Sequence, residues 1–506
     1  MATKTAAWAA CGSSPRRQVR YIPVAHPKVA AVRRRARRDL TRWSTKGELA
    51  RLILILAIPV AATNLLQALI GFVDVRMVSV LGKEALSSLA VGRQSMWLVS
   101  AIFMGLGAGI TAHVARFTGA KDYAKARAYA TTGIVSAMII GLALTALALV
   151  IGRHPVEYMV SSETGEIDAI TQALTQRYAW DYMRVLFIGL IGVGAQFACV
   201  SIFNSLGRTL YPMWLLVIAN VANFAGNWLL IPRYEVAGCA WSTTLTTLVV
   251  SATAITLLTR QRAAVWSTEL IAAFMLRAWE MLKLGFPAAL QVAARSLAAL
   301  TLLKVITYLP NTDSVVGQSA FFVGLMAESL AFMPALAFSI AASTMVGQNL
   351  GARRPDQAHQ GALFCLLFSE LIMWSMGSLL FLFPQWFIWL FIGSNSPEAF
   401  DAAANFLRIL ALCLPGLAIG MTMSGALRGA GDTRAAAAIT LTSMWLVRIP
   451  LAAMLSLNNI FGSGIGFGLG LDGVWWAMTG SVYVEATLAY LRFRSGAWAR
   501  IKLAEE

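Results

Sequence analysis

Asn223 and Asn227 lie four residues apart in the apolar stretch NVANFAGNWLL, so any helix through them carries both amides on one face. Asp74 is a carboxylate at the end of the apolar run that starts at Leu52. An ion at mid-helix in a membrane costs about 2.5–3.5 kcal/mol on insertion scales, so each such residue needs a reason. A carboxylate facing a cavity between helices could load and release a proton, and the two amides could line that cavity. The bland alternatives are polar glue between helices for the amides and a place near the outer headgroups for Asp74. It lies 15 residues past Pro59, about 22 Å along a helix. Arg295 and Glu328 fall near the middle of two later apolar runs, where they could pair with each other or touch a substrate. Gln291 and Arg184 complete the set of expected intramembrane polar residues.

Other chemistry finds little support. The five cysteines (Cys11, Cys199, Cys239, Cys365 and Cys413) show no CxxC spacing, and four sit inside apolar runs, as small buried side chains do. No two of the four histidines are close in sequence, so no metal site is expected. A phosphate-cradling glycine loop and a nucleophile elbow are both missing. The chain reads as neither an enzyme nor a cofactor protein.

The elements that would position these residues are membrane helices. Hydrophobic residues make up 58% of the 506 positions and charged residues 13%, about half the charged share usual for a soluble domain. Apolar runs of roughly 20 residues, enough to cross about 30 Å of hydrocarbon, recur throughout. They lie near 50–78, 86–114, 128–152, 178–205, 211–232, 237–259, 279–308, 317–346, 361–383, 402–427, 436–457 and 472–493. The expected fold is therefore all-α and polytopic, with twelve transmembrane helices. Even-numbered connections and the C-terminal segment carry most of the Lys and Arg, among them Arg116, Lys121, Arg208, Arg353 and Arg428. By the positive-inside rule both ends of the helical region face the cytoplasm, or the stroma in a plastid envelope.

The net charge of +17 misleads, because residues 1–46 hold twelve Lys and Arg against the single acid Asp39. The rest of the chain is close to balance, and nucleic-acid binding is not indicated. The segment 1–46 is rich in Arg, Ala and Ser and has no continuous apolar core. It reads as an organelle transit peptide, plastid before mitochondrial, or else as a basic tail lying on anionic lipid.

The chain also repeats itself. RFTGAKDYAKA at 116–126 returns as QNLGARRPDQA at 348–358, with Gly-Ala, a basic residue and a closing Ala in register. Arg184, Gly192, Gly207 and Thr209 meet Arg408, Gly416, Gly431 and Thr433 at an offset of 224. Pro59 meets Pro287 at an offset of 228, and Gly238 meets Gly473 at 235. Two six-helix lobes follow, 47–262 and 263–506. An even number of crossings gives them the same orientation, related by an axis along the membrane normal. Two such lobes can enclose a cavity and open it to either side.

VGQNLGARRPDQA (346–358), ALRGAGDTR (426–434), WLVRIPLA (445–452), ESLAFMPALAFSIAAST (328–344) and FVDVRMVSVLGKEAL (72–86) together resemble the multidrug and toxic compound extrusion (MATE) transporters. The motifs are similar to those of the bacterial, DinF-like branch, which has plastid relatives. The resemblance covers about residues 46–495 and implies a secondary antiporter. Such proteins expel small organic, often cationic or amphipathic, compounds in exchange for protons or sodium. It implies that Asp74 matches the aspartate proposed to bind the coupling proton, and that Thr243 joins Asn223 and Asn227 around it. Proton-coupled relatives carry an Asp at the position of Asn227, so a two-carboxylate site is not expected. A glutamate of the sodium-coupled branch sits near Arg295, which argues against sodium. Arg184, Arg408 and Arg448 match positions near helix ends, where arginines snorkel or hold helices together. A monomer in contact with membrane lipid is expected. The alternatives are a flippase for a lipid-linked substrate and a channel, although no selectivity-filter motif or charged ring is present.

Overall fold

A computed structural model describes residues 40–154, 169–266, 273–309, 311–391, 397–457 and 466–503. Most of the expected transit peptide, and Cys11 with it, lies outside the described residues. The helices in chain order are α1 Lys46–Val78, α2 Lys83–Gly119, α3 Tyr123–Ile151, α4 Ala169–Ile188, α5 Leu190–Ser205, α6 Leu210–Arg260 and α7 Phe274–Thr307. After them come α8 Asn311–Gly351, α9 Pro355–Leu382, α10 Pro384–Phe391, α11 Pro397–Ala430, α12 Thr433–Ser456 and α13 Gly470–Arg494. Among the described residues there is no strand.

Eight of these helices are each long and apolar enough to cross a membrane, and α4 with α5, bent by 52° at Gly189, makes a ninth crossing. The 51 residues of α6 would run about 76 Å if straight, more than twice the hydrocarbon thickness. Instead α6 breaks at Glu235, where φ is 51° and ψ is −133°. The two halves fold back on one another, since a Cβ at Gly238 would collide with the Leu230 carbonyl. With α8 and α13, the twelve expected crossings are complete. The short apolar α10 is additional to them.

The repeat in sequence is a repeat in backbone. Helices α2 and α8 both end by turning a basic residue into the left-handed region, Lys121 at φ 61° and Arg353 at φ 58°. In each the preceding Ala N–H closes on the carbonyl four residues back, Arg116 at 3.0 Å and Gln348 at 2.9 Å. This left-handed cap satisfies the last carbonyls of the helix. The two loops also meet. A Cβ at Gly119 would strike the Gln348 carbonyl, and one at Gly351 would strike the Arg116 carbonyl. Only glycine permits that backbone approach.

Within the first lobe, α2 packs on α3, α4 and α5, while α6 packs on α1, α4 and α5. Within the second, α11 packs on α8, α9 and α13, and α12 packs on α7 and α13. The lobes meet where α2 lies against α7 and α8, and α1 against α8. The side chains of Thr344 and Gln348 reinforce this seam: the Thr344 hydroxyl donates to the Asn204 carbonyl (3.2 Å), and the Gln348 side-chain amide to the Ser205 carbonyl (2.6 Å). The Tyr129 hydroxyl donates to Glu280 across the same seam. Asn64 reaches the Met333 carbonyl (3.3 Å) nearer mid-membrane.

The even-numbered connections and both terminal segments gather at one basic end of the bundle. Residues 40–45, expected to belong to the tail, pack there with the helices. Asn349 donates to the Leu40 carbonyl (3.3 Å) and Arg354 to the Thr41 carbonyl (2.6 Å). The Leu40 side chain lies over Gly207 of the other lobe. Thr45 then caps α1 by accepting from the Glu48 N–H (3.2 Å), while Glu48 accepts from the Ser44 N–H (2.8 Å), a reciprocal cap. At the other terminus Arg116 donates to the Ile501 carbonyl (2.8 Å), and Ile501 and Leu503 cover Gly431.

Candidate functional site

Among the described residues a buried polar cluster stands in each lobe at a junction of three helices, and the two junctions correspond by the repeat. In the first lobe the helices are α1 and the two halves of α6. Asp74 sits one turn from the end of α1 and is buried, as are Asn223 and Asn227. The Asn227 amide donates to Asp74 Oδ1 at 2.7 Å and reaches Asn223 Oδ1 at 3.3 Å. Asn223 in turn donates to the Thr243 hydroxyl at 3.0 Å, and Ser242 donates to the Asn223 carbonyl at 2.9 Å. The four residues Asp74, Asn223, Asn227 and Thr243 are thus one hydrogen-bonded chain. The break at Glu235 makes this possible, because it returns the second half of α6 antiparallel to the first. Asp74 faces protein and not headgroups. Cys239 and Arg93, unforeseen in sequence, also lie within reach of its carboxylate. The Asn227 carbonyl oxygen is buried with no donor among the described residues.

In the second lobe the junction is α7, α12 and α13. Arg295 does not pair with Glu328, as its mid-span position suggested. It pairs with Glu485 of α13, whose side chain is 2% exposed against 24% for Arg295. The physical reason is packing: α13 brings its one buried acid to the face of α7 that carries Arg295, whereas half-buried Glu328 lies within electrostatic reach of Arg448. Thr440 of α12 donates to Glu485 at 2.8 Å and accepts from the Gln291 amide at 2.7 Å. Gln291 is buried, and its carbonyl accepts from Arg428 at 2.9 Å. Arg428 also donates to the Ser339 hydroxyl at 2.9 Å. The donors run in one direction, Arg428 to Gln291 to Thr440 to Glu485, and Arg295 closes the chain from the other side. Two residues beyond Thr440, α12 becomes π-helical over Thr442–Arg448, a distortion frequent at functional positions. The extra residue per turn lets Arg448 donate to Ser481 of α13 at 2.8 Å.

Two further expectations change. Arg184 joins neither cluster: half-exposed on α4, it pairs with Asp181 at 2.9 Å one turn away on its own helix. Arg428, counted among the loop cations, turns its guanidinium back into the lobe, because helical side chains lean toward the N-terminus. Glu485 had one sequence signal, an acid inside the apolar run SVYVEATLAYL. Thr440 and Ser339 had none, since hydroxyls are common in apolar helices and bond their own backbone.

Comparison with known proteins fits this architecture. The family model described as MatE matches residues 59–229 and again 287–454, so its two blocks open on the repeat-related Pro59 and Pro287. A probable multidrug resistance protein NorM of Thermotoga maritima is 26% identical over 467 residues, covering 90% of this chain and 94% of the relative. The multidrug resistance protein MdtK of Yersinia pestis is 26% identical over 452 residues, 88% and 95% of the two chains. Among solved structures, a MOP superfamily transporter from Pyrococcus furiosus superimposes with a TM-score of 0.77 at 21% identity, over 91% of this chain and 100% of that one. The eukaryotic MATE transporter AtDTX14 does so with a TM-score of 0.76 at 21% identity, over 90% and 97%. These likenesses are of fold. Together with the matched family model, they mean that this integral membrane protein, a transporter and not an enzyme, belongs to the MatE family.

Proposed function

We propose that the protein is a secondary active efflux transporter that expels small organic compounds in exchange for protons by alternating access of two lobes, 47–262 and 263–506. The observation that carries the coupling ion is Asp74, a titratable group enclosed in the apolar interior and held by an amide with two faces. The Asn227 N–H₂ donates to Asp74 Oδ1 in the present geometry, the contact an ionised carboxylate requires. The Asn227 carbonyl has no donor among the described residues. Rotation of that amide would let it accept from a protonated Asp74, so both protonation states have a partner without a second carboxylate. Among the described residues no second acid is hydrogen-bonded into the Asp74 cluster, which favours one exchangeable proton there. Arg295 in place of an acid weighs against sodium.

Alternating access is supported by the seam. At the basic end the lobes touch backbone to backbone at Gly119 and Gly351, a contact that supports lobes which close on each other at this end. The multidrug resistance names of the NorM and MdtK relatives support a small organic substrate. The basic, acid-poor composition of residues 1–39 supports delivery to an organelle envelope, plastid first, with the basic end facing the stroma or cytoplasm. A fluorescent fusion of residues 1–46 tests the destination.

The decisive experiment compares dye efflux from proteoliposomes under an imposed pH gradient and under a sodium gradient, for the native chain and Asp74→Asn. Efflux driven by the pH gradient and lost in Asp74→Asn is expected. Efflux that follows sodium, or is unchanged by the substitution, overturns proton coupling at Asp74.

A further inference from the structure

We propose that Arg295 is a tethered cation that fills a monovalent-cation site formed by the Glu485 carboxylate and the Thr440 hydroxyl, so that the second lobe draws no coupling ion from solution. This rests on the reading of Asp74 as the coupling group of the first lobe.

The geometry has three parts. First, the oxygen donors of a cation site are present and converge. Glu485 supplies its carboxylate, and the Thr440 oxygen lies 2.8 Å from it. Hard monovalent cations take oxygen ligands of this kind. Second, the site is already charge-balanced from within. Arg295 is the direct cationic partner of Glu485 among the described residues. The other arginines nearby are committed elsewhere, Arg428 to Gln291 and Ser339, and Arg448 to Ser481. Third, the two partners differ in access. Glu485 is enclosed, whereas a quarter of the Arg295 side chain is exposed. Truncating Arg295 would therefore open a path to the carboxylate that a small cation can follow. A buried carboxylate without its partner is strongly destabilised, and the empty site would recruit whatever cation fits it.

The placement explains why the repeat is chemically unequal. Both lobes bury one carboxylate at the same three-helix junction. In the first, the direct hydrogen-bond partner is the neutral Asn227 amide, and Arg93 lies only within electrostatic reach, so no ion pair holds the charge against a proton. In the second, an arginine on α7 meets the charge permanently.

The test is Arg295→Ala in proteoliposomes under an imposed pH gradient, with choline as the only other cation and then with sodium, lithium, potassium or guanidinium added. Efflux in choline should fall by about tenfold or more, because the enclosed Glu485 carboxylate is left without its cationic partner. Guanidinium or a small alkali cation should restore most of it. Thermal unfolding of the detergent-solubilised variant should rise with the same cation, as a ligand bound only to the folded state requires, and the native chain should not respond. Undiminished efflux in choline overturns the proposal. So does a folded variant that no cation rescues or stabilises.

If Arg295→Ala does not fold in any cation, the double variant Arg295→Met, Glu485→Gln removes both charges and decides the matter. Efflux under the pH gradient with no added cation supports the tethered-cation role. Loss of the pH drive in a folded double variant would make Glu485 itself a proton carrier and overturn it. Asp74→Asn, measured alongside, separates this outcome from failure of the proton reading: a silent Asp74→Asn removes the first without touching the cation rescue.

Discussion

Asp74 depends on one good hydrogen bond. The Asn227 amide at 2.7 Å is a donor to a charged acceptor, a class of bond worth about 1.5–3 kcal/mol. Asn227→Leu keeps the volume and the helix but removes the donor. Initial rates of efflux under a fixed pH gradient should then drop by about tenfold or more, since 1.4 kcal/mol is a factor of ten, while the protein still folds. Thr243→Val acts one bond further away, on Asn223, and should cost less. A larger loss from Thr243→Val than from Asn227→Leu would mean that the cluster does not work through Asp74. The same directional logic accounts for Glu485, where removal of either partner alone is expected to be worse than removal of both.

At the level of helices, the two repeated loops are held by close approach and by an unusual cap. Gly351→Ala places a methyl group against the Arg116 carbonyl. Overpacking of a tight contact typically costs about 1–3 kcal/mol, so the melting temperature in detergent should fall. Lys121→Gly is the informative contrast. Lys121 is exposed at φ 61°, a conformation that glycine adopts without a Cβ penalty. The substitution should be neutral or stabilising by up to about 1 kcal/mol. Equal destabilisation by both would show that the basic side chain, and not the backbone approach, is what the loop requires. The break in α6 at Glu235 is the other element whose geometry matters. It lets one half of α6 present Asn223 and Asn227 to Thr243 and Asp74.

For the whole molecule, the terminal segments cross between lobes at the basic end. Leu40 and Thr41 are bound by Asn349 and Arg354 of the second lobe while Leu40 covers Gly207 of the first. Ile501 is bound by Arg116 of the first lobe while it covers Gly431 of the second. Separation of the lobes at this end must break some of these contacts. Removal of residues 1–39 should therefore leave transport intact. Removal through Thr45 takes away both backbone acceptors and the α1 cap, the latter alone worth about 1 kcal/mol. It should shift the population toward states open at the basic end. Thiol labelling of Ser205→Cys, in a background without native cysteines, reads this directly: faster labelling in the longer truncation is expected, and equal rates for the two truncations would exclude a latch at residues 40–45.

Sequence alone determined the class of fold, the number of crossings and the repeat, and it put Asn223 and Asn227 on one face, while Asp74 and Thr243 were joined to them only through the resemblance of motifs. These follow from local regularities: apolar length measured against bilayer thickness, charge asymmetry between loops, a four-residue amide spacing, and motif order. Even the shared loop geometry was implicit in the echoed Gly-Ala-basic signature. What only the tertiary structure decided were the partnerships between helices far apart in the chain. Arg295 meets Glu485 and not Glu328, Arg428 turns inward to Gln291, Arg184 stays on its own helix, and residues 40–45 join the body. In a membrane every helix carries polar groups that must find partners within the protein, and an apolar sequence does not encode which neighbouring face will supply them. That choice is made by the packing of α7, α12 and α13, whose contacting residues span almost two hundred positions of chain.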